Sequence, residues 1–285
     1  MNRTDAAARG MMHSMRNRRL IVAAVLAAIL TAACSRGFRV TSFPAPASLY
    51  AASLAEYNNE KWNNAITGFE RLTLDLAARD TLLPLAHWYL ASAHEQRGEH
   101  ILAATGYSRL AESFPDDTLS DDALFQSGES YLRLWRRPDL DPQYGTLAQL
   151  QYRQLLGIYP DSPFAVRADS QMLRIDDLFA AKDYGIGLYY TKRRGFDSAI
   201  LMFKSVVKDY PNTPHARLAL IRMVETYRRP LNYKEEADET CATLRAAYPD
   251  DAEVQKTCPA PSAVPAPPVG VTVDTSRAMR SPSAR

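Results

Sequence analysis

The chain has 285 residues, with 34 Lys and Arg against 32 Asp and Glu, three cysteines and a 46% share of hydrophobic residues. That length accommodates one or two packed domains, and the near balance of charge excludes the sustained basic face that nucleic-acid binding requires. The small positive excess comes wholly from the N-terminus, and the rest of the chain is slightly acidic.

Residues 1–19 carry Arg3, Arg9, Arg16, Arg18 and Arg19 against Asp5 alone, and Leu20–Ala33 is an uncharged run of fourteen. A bilayer-spanning helix needs roughly 20 apolar residues, so residues 1–33 read as a secretory signal peptide and not as an anchor helix. The run closes on Leu-Thr-Ala-Ala before Cys34. Small residues there suit a lipoprotein signal peptidase, and lipidation of Cys34 is the expectation; ordinary cleavage after Ala33 is the alternative. The usual leucine three before the cysteine is replaced by Thr31, with Leu30 displaced by one. Without the leader, 29 basic and 31 acidic residues remain, a formal charge of −2.

Residues 34–47 are polar and contain prolines without a helical period, which predicts a tether. From Ser48 onward a single pattern repeats. Ala103, Tyr107 and Pro115 are spaced four and then eight apart, as are Ala148, Tyr152 and Pro160, Ala199, Phe203 and Pro211, and Ala237, Cys241 and Pro249. Ala65 and Phe69, preceded by Trp62, form an earlier copy in which Ala77 stands at the proline position. This is tetratricopeptide spacing. The Ala and the bulkier residue form one i, i+4 face of a second helix, a small residue such as Gly187 on the first helix admits that face, and the proline ends the pair. The prediction is an all-α solenoid of about five helix pairs over 48–258, followed by a disordered Pro-rich tail, 259–285. Asp141, Ser162 and Thr213 each precede a proline and read as N-caps, and Asn232 with Glu235 resembles a capping box.

Two departures from the repeat are informative. Tyr131 and Ala148 are seventeen apart where nine is expected, an insertion that contains Trp135, Arg136, Arg137, Asp141 and Gln143. Trp and Arg are interface types, which makes this a candidate partner loop; the other reading is a solvated loop with Trp135 tucked against its own repeat. Phe164–Tyr190 lacks a strong breaker apart from Gly185 and Gly187, and predicts one long helix joining the third and fourth pairs.

First helices of stacked pairs line one face. Counting back from each repeat's alanine places Tyr50, Leu54, Tyr57 and Asn58, then Trp88, Tyr89, Ser92 and Gln96, then Phe125, Glu129 and Arg133 on it. Such an aromatic, mildly polar groove suits an extended peptide with aromatic side chains, although the same rings also serve as inter-repeat core. Neither a phosphate loop nor a nucleophile elbow occurs, and the histidines lack ligand-spaced partners, so no enzyme, metal or cofactor is expected. Acid pairs such as Asp121 with Asp122 fall at helix starts, where they favour the dipole. In an oxidising compartment Cys241 and Cys258 are free to form a disulfide; the alternative is a buried Cys241 and an exposed Cys258.

The leader, the repeats, the segment Leu140–Ala165 and the run from Tyr189 to Pro214 resemble the BamD (YfiO) family of outer-membrane assembly lipoproteins. The resemblance covers roughly residues 49–251 and implies a lipid-anchored scaffold on the periplasmic face of the outer membrane. It also implies a BamA-type insertase as partner through its periplasmic domains, with other assembly lipoproteins and unfolded barrel proteins as further partners. A tetratricopeptide lipoprotein that scaffolds peptidoglycan or division machinery shares the repeats and is the competing reading.

Overall fold

The computed structural model describes residues 37–260. The described residues are helical throughout and contain no strand, with the helices α1 Pro46–Asn58, α2 Trp62–Asp75, α3 Leu82–Gln96, α4 His100–Ser113, α5 Ser120–Leu134 and α6 Gln143–Ile158. The order continues with α7 Ala165–Lys192, α8 Phe196–Asp209, α9 Pro214–Thr226, α10 Lys234–Ala247 and α11 Ala252–Thr257. These are tetratricopeptide-type pairs: α1/α2, α3/α4, α5/α6, the latter part of α7 with α8, and α9/α10, with α11 following. The sequence predicts one array, whereas the described chain divides into two compact units, residues up to 136 with 143–169, and 137–142 with the residues from 170 onward. The expected signal peptide, Cys34 and most of the Pro-rich tail lie outside the described residues.

The repeating alanine and its partner are the core of every pair. Ala65, Phe69, Ala103, Ala148, Tyr152, Ala199 and Phe203 are fully buried, and Tyr107, Ala237 and Cys241 nearly so. Burial of each large side chain contributes about 1.5–3 kcal/mol. The second helices stop at Ser113, Ile158, Asp209 and Ala247, each two residues before its proline, because the ring clashes with the carbonyl four residues back and biases the preceding residue out of helix. In the first pair α2 ends at Asp75 in the same register before Ala77; here Leu76 turns extended and Asp80 Oδ1 accepts the Leu82 N–H at 2.9 Å, which starts α3 without a proline.

Small residues on the first helices set how closely the pairs approach. A Cβ added to Gly128 would lie 2.6 Å from the Tyr152 ring, and one added to Gly187 would lie 2.4 Å from Phe203. Ser53 and Ala91 hold the equivalent places and face Gly68 and Gly106 on the second helices, so here the glycine has crossed to the partner.

Capping follows the sequence at Thr213, whose Oγ1 accepts from Ala216 N at 3.3 Å, and at Ser162, whose Oγ accepts from Phe164 N at 3.1 Å. It departs at Asn232. That residue adopts a left-handed conformation, φ 56°, at the end of a π turn Tyr227–Leu231 that contains Pro230, and α10 is instead preceded by Tyr233. Proline removes one donor from the turn, the ring closes through Tyr233 N to Tyr227 O at 2.9 Å, and asparagine tolerates the positive φ that results.

Two further expectations are corrected. The predicted tether 34–47 is docked from Phe38 onward: Phe38 and Phe43 stack with centroids 5.7 Å apart and pack with Val40 on the core of the first unit, and α1 begins at Pro46. The connection 135–142 does not carry Trp135 on its surface. Trp135 is 2% exposed and among the largest buried side chains, because helix α5 ends at Leu134 and the chain turns its indole inward, while Arg136 and Arg137 stay exposed.

In the second unit Cys241 and Cys258 are bonded, with Cα atoms 5.4 Å apart, and Val254 of α11 is buried beside them. Asp251 caps α11 through Glu253 N at 2.9 Å and Val254 N at 3.0 Å, so the short helix is fixed at both ends.

Three outcomes follow for folding. Replacing Trp135 with Ala opens a large cavity and lowers stability by about 3–5 kcal/mol in chemical denaturation, whereas Arg137→Ala leaves the midpoint unchanged. Gly187→Ala lowers the thermal midpoint through overpacking worth about 1–3 kcal/mol, while Gly185→Ala, with open space at its Cβ, raises it slightly through helix propensity. The double change Cys241→Ser and Cys258→Ser removes about 3 kcal/mol from the second unit, read by hydrogen exchange at α10 and α11.

Candidate protein-interaction site

The face predicted for a peptide is built by α1, α3 and α5 of the first unit. Helix α1 touches α3 directly, and Tyr57 Oη and Ser92 Oγ share a hydrogen bond of 2.6 Å between them. Helix α3 meets α5 where Ser130 Oγ donates to Glu95 Oε2 at 2.7 Å. The first two repeats supply a continuous aromatic cluster. Tyr57 meets Trp62 at 5.1 Å and Tyr89 at 5.2 Å, Tyr89 stacks on Phe69 at 5.5 Å, and Tyr50 lies edge-on to Phe69 and Tyr89. Trp88 packs edge-on against Tyr107 at 5.1 Å.

These contacts sort the candidate residues. Tyr50, Leu54, Tyr57, Trp88 and Tyr89 are half-buried, each with part of its surface in the inter-repeat core and part open to solvent. Asn58, Gln96 and Arg133 are exposed, and Glu129 is half-buried, accepting from Tyr152 Oη at 2.7 Å. Phe125 is corrected: it is 1% exposed and unavailable to a ligand. It is enclosed by Tyr152 at 5.7 Å and Phe164 at 5.3 Å, with the Arg167 guanidinium 4.3 Å over its ring. Ser92 is likewise buried, and acts through Tyr57 rather than on the surface.

Sequence reasoning missed Glu95. Its nearly buried carboxylate gathers Arg133 Nη1 at 2.8 Å, His100 Nδ1 at 3.2 Å and the Ser130 hydroxyl, which joins α3, α4 and α5. The signal was present only as an acid five residues before His100, a spacing with no meaning until the α3–α4 turn is known. Desolvation by burial raises the Tyr50 hydroxyl above the ordinary phenol range, with the neighbouring Tyr89 adding to it, and raises Tyr107 further still. The face therefore offers neutral phenols, aromatic faces and exposed amides. Groups of this kind interact by stacking and hydrogen bonding.

The second candidate surface lies in the second unit. Residues 137–142 lie along α7, where Lys182 Nζ donates to the Leu140 carbonyl at 3.0 Å and Arg137 pairs with Asp139 at 3.3 Å. Pro138 and Asp139 line an open groove of about 510 Å³ with Ala181, Lys182, Gly185, Ile186 and Tyr189. Tyr189 is 54% exposed, and the Arg193 guanidinium lies 5.3 Å from its ring centroid. Asp141 and Gln143 are exposed at the start of α6, and Trp135, as above, is core. Among the described residues no group of three or more His, Cys, Asp or Glu is placed to hold a metal ion. None of the described helices is long and apolar enough to cross a membrane.

A family model described as YfiO, outer membrane lipoprotein, matches residues 44–244. The outer membrane protein assembly factor BamD of Caulobacter vibrioides is 24% identical over 209 residues, covering 71% of this chain and 66% of its own length. BamD of Vibrio cholerae is 24% identical over 221 residues, covering 72% of this chain and 89% of its own. Among solved structures, the tetratricopeptide domain of P58(IPK) is similar at a TM-score of 0.40 and 15% identity, covering 74% of this chain and 54% of that one. The family match takes in the first-helix face, the inserted connection and most of the second unit, and the chain belongs to the YfiO family of outer membrane lipoproteins.

Proposed function

We propose that the chain is a non-enzymatic scaffold for outer-membrane protein assembly, held on the periplasmic face of the outer membrane by lipid on Cys34. The observation that carries this reading is the family match, whose span includes both candidate surfaces. The relatives it resembles are named as assembly factors of this kind. Within that role the face of the first unit takes extended, aromatic-bearing segments of unfolded barrel proteins, since Tyr50, Tyr57, Trp88 and Tyr89 present half-open rings beside the amides of Asn58 and Gln96. The exposed Arg137 and the Tyr189 groove of the second unit take the periplasmic domains of a BamA-type insertase, Arg136 of the first unit is a further exposed contact for the same partner, and accessory lipoproteins bind elsewhere on the repeats.

Affinity purification from detergent-solubilised envelope tests the role, with recovery of a BamA-type barrel as the expected result. Recovery of peptidoglycan-binding or division proteins without such a barrel would overturn it. The division of labour has its own test. Arg136→Ala with Arg137→Ala weakens insertase binding by about 1–3 kcal/mol and spares peptide binding. Asn58→Ala with Gln96→Ala does the reverse, by about 1 kcal/mol for each hydrogen bond lost. All four side chains are exposed, so circular dichroism and the thermal midpoint stay at wild-type values.

A further inference from the structure

The docked segment after Cys34 places a limit on where the first unit can lie. Gly37 is the first described residue and stands three residues after Cys34, so the two Cα atoms are separated by at most about 10 Å in any conformation. From Phe38 the chain is fixed. Phe38 Cζ approaches the Cβ position of Gly68 on α2 to 3.1 Å, Phe38 stacks on Phe43, and a short turn closes through Ser42 N to Arg39 O at 3.0 Å and Phe43 N to Val40 O at 3.1 Å. A free tether of fourteen residues would reach about 46 Å, far enough to leave the repeats clear of the bilayer. Docking removes most of that reach.

Beside this segment lies an open groove of about 540 Å³ lined by Val40, Phe43, Pro44, Leu49, Arg71 and Leu74, among others. Leu74 projects from its wall, 79% exposed, and Thr41, Thr67 and Glu70 are also part of the lining. Arg71 and Asp75 neutralise one another at its rim, with Nε 2.5 Å from Oδ2. Such a surface suits the headgroup and upper acyl region of a bilayer, where apolar side chains insert to about 5–10 Å.

We infer that the groove between residues 40–44 and α2 is a membrane-apposed face, seated on the lipid surface that holds Cys34. The inference rests on the proposed lipid anchor; chain length then brings the groove to the bilayer, and the exposed Leu74 provides contact. The aromatic pair Phe38 and Phe43 acts as a clamp that keeps the anchor short.

The test uses the full mature chain, purified from membranes and reconstituted in phosphatidylethanolamine and phosphatidylglycerol vesicles that carry a lipid-attached quencher. A polarity-sensitive fluorophore is placed at Leu74→Cys, or at Thr105→Cys on the exposed side of α4 as control. The expected result is severalfold greater quenching at position 74 than at 105, falling toward the control when Phe38→Ala and Phe43→Ala release the clamp. A twelve-residue Gly-Ser insertion after Gly37 should have the same effect without touching the core. Intact mass and vesicle flotation separate the two ideas. An unacylated Cys34 removes the anchor and this inference together; an acylated, floating protein with equal quenching at 74 and 105 overturns the inference and leaves the anchor standing. Protection of position 74 by added insertase domains in place of lipid quenching would make the face a protein interface, and also overturns it.

Discussion

The fold depends on close approach within the helix pairs: in the third and fourth a glycine on the first helix faces the ring of the second, and in the first and second the glycine stands on the second helix opposite Ser53 and Ala91. Gly128 against Tyr152 and Gly187 against Phe203 show it most clearly, because neither leaves room for a methyl group. Two helices brought this close bury the ring completely, and dispersion over many atom pairs, each weak, then becomes substantial. The same closeness leaves the outer sides of the first helices only partly covered, so that Tyr57, Trp88 and Tyr89 remain half-open. Core and candidate face are consequences of one spacing.

This explains what was legible in the sequence. The Ala and its bulkier partner lie four apart on one helix, so their shared face is fixed by the chain itself, and all five copies, the last with Cys241, are buried. Helix ends were legible for the same reason at the prolines, and at the caps of Ser162 and Thr213. Residues whose environment is assembled from distant elements were not. Phe125 looks like a groove residue by counting, yet Phe164 and Arg167, some forty positions on, close over it. Trp135 has interface composition and no repeat position, and is core. Glu95 has ordinary composition, and becomes the node joining three helices only once Arg133, His100 and Ser130 arrive. Asn232 was misread because Pro230 opens a π turn ahead of it, which changes the register at which α10 begins.

The two candidate surfaces are made by different means. On the first unit, the candidate groups are embedded in the repeat and share their rings with the core, with exposed amides and neutral phenols beside them. On the second, the inserted residues 137–142 lie along α7 through a lysine-to-carbonyl bond and leave Arg137 and Tyr189 exposed. The repeat supplies a rigid platform and the insertion supplies side chains that the repeat has no position for.

The disulfide at the end of the second unit has a consequence beyond its strength. In repeat arrays each pair leans on its neighbours, so the terminal pair, with one neighbour missing, is ordinarily the first to fray. Here Cys258 ties the end of α11 back to the middle of α10, and Arg228 reaches both Cys241 Sγ, at 3.2 Å, and the Thr257 carbonyl. Unzipping from that end would first have to carry a closed covalent loop with it. Before the two thiols are oxidised the last pair has no such restraint, and its final stop is acquired only with the bond. Closure of this end is thereby set by the redox state of its surroundings and not by the order of synthesis.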